Sequence, residues 1–114
     1  MTMSKQSKHL VQILLPLVTG NGTGLQKDLF EDLLQELTDR FGGATSFKQS
    51  PGQGHWDSGK QIEKDSVALI EVVTNGLDED YFRKLKTRLE RELSQDEIMI
   101  RALPVTHFES RSGQ

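Results

Sequence analysis

The chain has no cysteine. Disulfides, a thiol nucleophile and thiolate metal sites are therefore excluded, and the composition fits the cytoplasm. It has no long apolar run either. No window approaches the roughly 18 residues of a membrane span, so no membrane partner is expected. Charge of one sign does not dominate. The net charge is −3 and the 14 Lys and Arg are spread along the chain, which does not invite nucleic acid. Aromatic residues are scarce, at 6% with a single tryptophan. Metal-ligand spacings are missing too. His9 and His107 have no partner at a recognised interval, and there is no HExxH or paired-carboxylate helix motif. Neither a metal nor a cofactor is expected.

What is there suffices for one domain. The 114 residues are 34% hydrophobic, which allows one modest core and exceeds the level of disordered chains. The expected divisions are a disordered tail over 1–8, a single domain over 9–108 and a disordered tail over 109–114. The first 18 residues place lysines before an apolar stretch, as a signal peptide does. However, Gln12 and Pro16 interrupt a core of only about eight residues, and removing it would delete a strand the fold needs.

Leu10 to Val18 reads as a strand buried on both faces. A turn-rich stretch, Thr19 to Gly24, follows, and Thr23 and Gln26 have the spacing of a capping box. Leu25, Leu29, Phe30, Leu33, Leu34, Leu37 and Phe41 recur at helical spacing, with Gly42 as the stop. Ala44–Lys48 reads as a second strand and Ser66–Thr74 as a third. Asp78 is placed to cap a second helix, with Leu77 and Phe82 flanking it as a staple. Its buried face is Tyr81, Phe82, Leu85, Leu89 and Leu93. Glu79–Arg83, Asp80–Lys84, Lys86–Glu90 and Arg88–Glu92 mark the solvated side. Glu97–Val105 is the last strand, with Pro104 at or beyond its hydrogen-bonded part.

The order β-α-β-β-α-β predicts an α+β, ferredoxin-like sandwich, a four-stranded antiparallel sheet with two helices on one face. Each helix is expected to return the chain to a parallel neighbour by a right-handed crossover. This topology centres the first and third strands, the two most apolar ones. Yet both are apolar on both faces. Val11, Ile13, Leu15 and Leu17 oppose Leu10, Leu14 and Pro16, and Val67, Leu69 and Val73 oppose Ala68, Ile70 and Val72. The uncovered face would be an exposed apolar patch in a monomer. A homodimer packed sheet to sheet removes it, and leaves room for a pocket between the sheets. The Gly-rich arm or the C-terminal tail covering a monomer is the alternative.

Few residues are placed for chemistry. Glu71 interrupts an apolar strand and should point to the open face, where Arg101 of the last strand would pair with it. It is either half of an interface ion pair or a functional carboxylate. His55-Trp56 sits in a polar, Gly-rich arm, Gln49 to Lys60, that also holds Gln53. A histidine there would shuttle protons and the tryptophan would wall a ligand, although a lone tryptophan usually anchors a loop. Thr45 and Ser46 supply hydroxyls nearby. Gly20 to Gly24 opens a helix after a strand, the context of phosphate binding, but lacks the dinucleotide and Walker spacings. A turn explains it.

Phe41-Gly42-Gly43-Ala44-Thr45, Gly54-His55-Trp56, Asp65, Glu71-Val72, Gln95-Asp96-Glu97-Ile98 and Arg101-Ala102 occur in this order. By these residues the chain resembles, over roughly residues 10–106, a family of small bacterial proteins without an assigned activity. The resemblance implies a ferredoxin-like domain of the dimeric α/β-barrel type and supplies no catalytic residue. A wider similarity, of fold alone, is to dimeric α/β-barrel enzymes such as cofactor-free monooxygenases.

Two functions compete at this point, with a regulatory protein-partner module behind them. One is a small homodimeric binding or structural protein with a small-molecule pocket on the open sheet face, using Trp56, Thr45 and Gln53. The other is a cofactor-independent oxygenase- or isomerase-like enzyme. There Glu71 would be acid or base, Arg101 would hold an anionic or carbonyl oxygen, and His55 would assist. Nucleic acid is not expected, because the central strands carry aliphatics where an RNA-binding sheet of this fold shows aromatics.

Overall fold

The computed structural model describes residues 4–49 and 67–109. Its elements run β1 (Ser4–Pro16), α1 (Lys27–Phe41), β2 (Thr45–Gln49), β3 (Val67–Thr74), α2 (Glu79–Glu92) and β4 (Met99–Glu109). The strands form one four-stranded sheet in the order β2-β3-β1-β4. Every hydrogen-bonded pair is antiparallel. The domain is ferredoxin-like. The parallel neighbour expected after each crossover is a next-but-one strand instead: β3 lies between β1 and β2, and β1 between β3 and β4. Each β-α-β unit is split by a strand of the other.

Alternation builds the core. Val11, Ile13 and Leu15 of β1 and Ala68, Ile70 and Val72 of β3 point to the helices and are buried. Leu33 and Leu37 of α1 and Phe82, Leu85 and Leu89 of α2 meet them. Leu93 and Ile98 seal the turn between α2 and β4. Each such side chain contributes about 1.5–3 kcal/mol by leaving water. Phe41 stacks on Phe82 at 5.4 Å and meets Tyr81 edge-on at 5.7 Å. That cluster ties the end of α1 to the start of α2.

Helix ends follow sequence chemistry in part. Gly42 closes α1 at φ 91°, the left-handed conformation glycine adopts without strain, and its amide bonds to Thr38. Asp78 caps α2 by accepting from the Tyr81 amide at 3.1 Å. The capping box at Thr23 does not form. Helix α1 starts at Lys27, and its N-cap, Gln26, makes no side-chain cap bond. The Thr23 hydroxyl is 2.9 Å from both the Thr19 hydroxyl and the Asn21 side-chain oxygen. A bridge between Val18 and Gly24 closes this turn as a loop of its own. Arg88 adds a tertiary partner to its expected attraction to Glu92, donating to Glu36 of α1 at 2.7 Å.

The strands are longer than their apolar runs. β1 begins at Ser4, inside the tail expected over 1–8, because Ser4–Lys8 pair with residues 105–109 of β4. Pro104 sits inside β4, opposite His9, and His107 opposite Gln6. An edge strand tolerates proline because only one of its sides bonds to the sheet. No helix among the described residues is long and apolar enough to cross a membrane.

Candidate functional site

The open face of the sheet is organised in rows. In an antiparallel pair, directly opposed residues share a face. Val73, Leu10 and Leu103 stand opposite one another across β3, β1 and β4. Leu69, Leu14 and Met99 form a second apolar row. Val73, Met99 and Leu103 are 42%, 47% and 42% exposed, high values for large apolar side chains. Between the two rows lies a polar one, Glu71, Gln12 and Arg101. Thr45 extends it onto β2 by its register with Glu71.

The polar row is bonded through its middle member. Gln12 Nε2 donates to Glu71 Oε2 at 2.8 Å, and Arg101 Nε donates to Gln12 Oε1 at 2.7 Å. Glu71 and Arg101 do share the open face. They do not form the direct pair expected of them, because β1 separates β3 from β4 and each side chain bonds Gln12 of β1 instead. Gln12 spans the gap with both ends of its amide. Its role was legible only as a polar interruption with the same parity as Leu10 and Leu14.

A hollow of about 460 Å³ opens at the β3 end of this row. Leu10, Phe41, Ala44, Val72 and Val73 give it apolar walls, and Thr45 and Glu71 give it polar groups. It exists because β2 pairs with β3 only as far as Glu71. Past that point Gly42 and Gly43 carry the chain away from the sheet edge and line the hollow in turn. The Phe41–Thr45 motif and Glu71 thus meet in one place. Arg101 lies away from the hollow, at the other end of the row. His55, Trp56 and Gln53 lie outside the described residues.

Other polar groups serve structure. Burial pushes the Glu36 carboxyl up, but hydrogen bonds from Tyr81 and Arg88 outweigh it and hold the group below its ordinary range. Burial and the bond to Glu36 together push the Tyr81 phenol up. The Arg40 guanidinium lies 4.0 Å from the Tyr81 ring centre and bonds Asp78 at 2.8 Å. This network clamps α1 to α2 on the far side of the molecule from the open face. A groove of about 330 Å³ between α2 and β4 has a floor of Val11, Phe82, Ile100 and Ala102. Its cations are already engaged, Arg83 with Glu79, Lys86 with Glu90 and Glu97, and Arg101 with Gln12. His9 is half-buried, and its Nδ1 is buried without a hydrogen-bond partner among the described residues.

A comparison with protein-family models gives no match for this chain, and a comparison with curated proteins gives none.

Proposed function

We propose that the protein is a cytoplasmic homodimeric binding protein, formed sheet to sheet, with a small-molecule site in the hollow beside Thr45 and Glu71. The observation that carries this reading is a pair of parallel apolar rows, Val73–Leu10–Leu103 and Leu69–Leu14–Met99, in which Val73, Leu103 and Met99 are exposed and the others half-buried. Apolar side chains on two central strands and an edge strand have no reason to face water, and a second copy is the economical cover. The hollow is an open depression of about 460 Å³ in which apolar side chains and the polar groups of Thr45 and Glu71 stand together, a size that admits a small molecule. A small apolar or aromatic molecule with an N–H or O–H group to offer Glu71 fits it.

Sedimentation equilibrium at micromolar concentration tests the assembly. The expected mass is twice the 12.9 kDa of the chain, and Leu103→Asp should shift it to the single chain while leaving the fold intact. A monomeric wild type sinks the reading. Amide chemical-shift mapping with a panel of small aromatic amines tests the site. Shifts gathered at Gly42, Gly43, Thr45 and Glu71 support it, and an unperturbed hollow across the panel overturns the ligand half.

A further inference from the structure

The open face carries more than an apolar surface, because its polar row has a direction. One end is the Glu71 carboxylate, the other is the Arg101 guanidinium, and neutral Gln12 lies between them. Within one copy the two charges do not meet, as each is bonded to Gln12 on the strand between theirs. Among the described residues, nothing but Gln12 bonds either charged group. Covering this face would strip water from both ions, and an unpaired buried charge carries a heavy penalty. A surface that is to be covered must therefore find each ion an opposite one on its partner.

We propose that the second copy supplies it: Glu71 pairs with the partner's Arg101, and this charge cross selects the orientation of the dimer. The inference rests on the sheet-to-sheet dimer proposed above and adds which way round the copies sit. Two face-to-face sheets related by a twofold axis have two simple arrangements. An axis parallel to the strands reverses strand order across the seam, so that β3 lies over the partner's β4. Glu71 then faces the partner's Arg101, twice by symmetry, and Gln12 faces the partner's Gln12 on the axis. An axis along the polar row preserves strand order and sets Glu71 over the partner's Glu71. The first arrangement satisfies both charges, and the second sets like charges together twice.

The geometry tolerates sheet twist. Glu71 and Arg101 each stand one strand spacing, about 5 Å, from Gln12. A crossing of about 30° between aligned sheets displaces them by only about 2.5 Å, within the reach of an arginine side chain. The flanking rows then close on apolar rows of the partner. At the β3 end, the partner's Arg101 arrives at the margin of the Glu71 hollow, which is complete only in the dimer.

The test uses opposite-sign predictions. Glu71→Gln removes a favourable cross-pair in the proposed arrangement, so the dimer dissociation constant should rise about tenfold or more. In the like-over-like arrangement the same change relieves repulsion and the constant falls. The double variant Glu71→Arg with Arg101→Glu should dimerise about as well as wild type. Mixed with isotope-labelled wild-type chain, it should self-sort, with native mass spectrometry finding mixed dimers well below half of the total. Mixed dimers at or above half overturn the proposal, as does a tighter Glu71→Gln dimer. Circular dichroism confirms that each variant is folded. A wild-type chain that never dimerises fails the assembly itself, whereas a dimer that mixes freely fails only its orientation.

Discussion

Gly20→Ala should be the most damaging single-methyl substitution in the described chain. Gly20 lies in the loop after β1, against the chain leaving α2. Its amide donates to the Leu93 carbonyl at 2.9 Å. A Cβ built on Gly20 would fall 2.6 Å from the Ser94 carbonyl carbon and closer still to its oxygen. That oxygen is backbone and cannot swing aside as a side chain would. Ser94 is itself at φ 52°, a left-handed conformation serine adopts at a cost. It is bracketed by buried Leu93 and by the Gln95 amide bonded to Glu90. The loop must therefore retreat, and the Gly20–Leu93 hydrogen bond goes with it. A buried backbone group left unpaired costs about 1–3 kcal/mol, and the displaced packing about 1–3 kcal/mol more. Reduced freedom of the unfolded chain returns about 0.4–1 kcal/mol. The net loss is about 1–5 kcal/mol, which for a chain of this size lowers Tm by roughly 5–25 °C. Urea denaturation of wild type, Gly20→Ala and Gly76→Ala measures it. A Cβ at Gly76 meets nothing within 4 Å, so that control should stay within about 0.5 kcal/mol of wild type. A Gly20→Ala midpoint equal to the control's would refute the close approach of the loop to the end of α2.

Leu37→Ala should cost about 2–5 kcal/mol in the same assay, because Leu37 is fully buried between α1 and the sheet; a loss below about 1 kcal/mol would contradict that placement. Glu36 sets an acid-side prediction. Its folded carboxyl is held below the ordinary value of 4.5, so its contribution is present above that value and is lost as pH falls through the depressed one. Glu36→Gln should flatten the loss of stability below pH of about 4.5, read from urea midpoints across the acid range. An unchanged slope would show that Tyr81 and Arg88 do not grip the carboxylate.

Much of the fold was legible in the chain because local chemistry and tertiary structure agree. The two-faced apolarity of Leu10–Leu15 and Val67–Val73 placed those strands at the centre, where the sheet has them. Gly42 ends α1 because it lacks a Cβ, and Asp78 starts α2 through its carboxylate, as the sequence suggests. The differences have two sources, one local and one long-range. Thr23 has the spacing of a cap, Arg88 faces Glu92 one turn on, and Pro104 reads as a strand end. Thr23 bonds back to Thr19 within its own turn, whereas Arg88 takes Glu36 of α1 as a further partner and Pro104 pairs opposite His9 of β1. The partners of Arg88 and Pro104 arrive from residues distant in the chain, and no periodicity announces them.

The candidate site divides in the same way. Alternation alone put Glu71 and Arg101 on the open face, because a period of two admits only two sides. The sequence by itself thus determined the fold class, the buried set and the polarity of each face. Only the tertiary structure decided that Gln12 stands between the two charges, and that the Phe41–Thr45 turn brings Thr45 beside Glu71. Strand order and register decided both, and these depend on which strands pair across long loops. The sign of a residue's charge is local, but the residue it faces is a property of the assembled sheet.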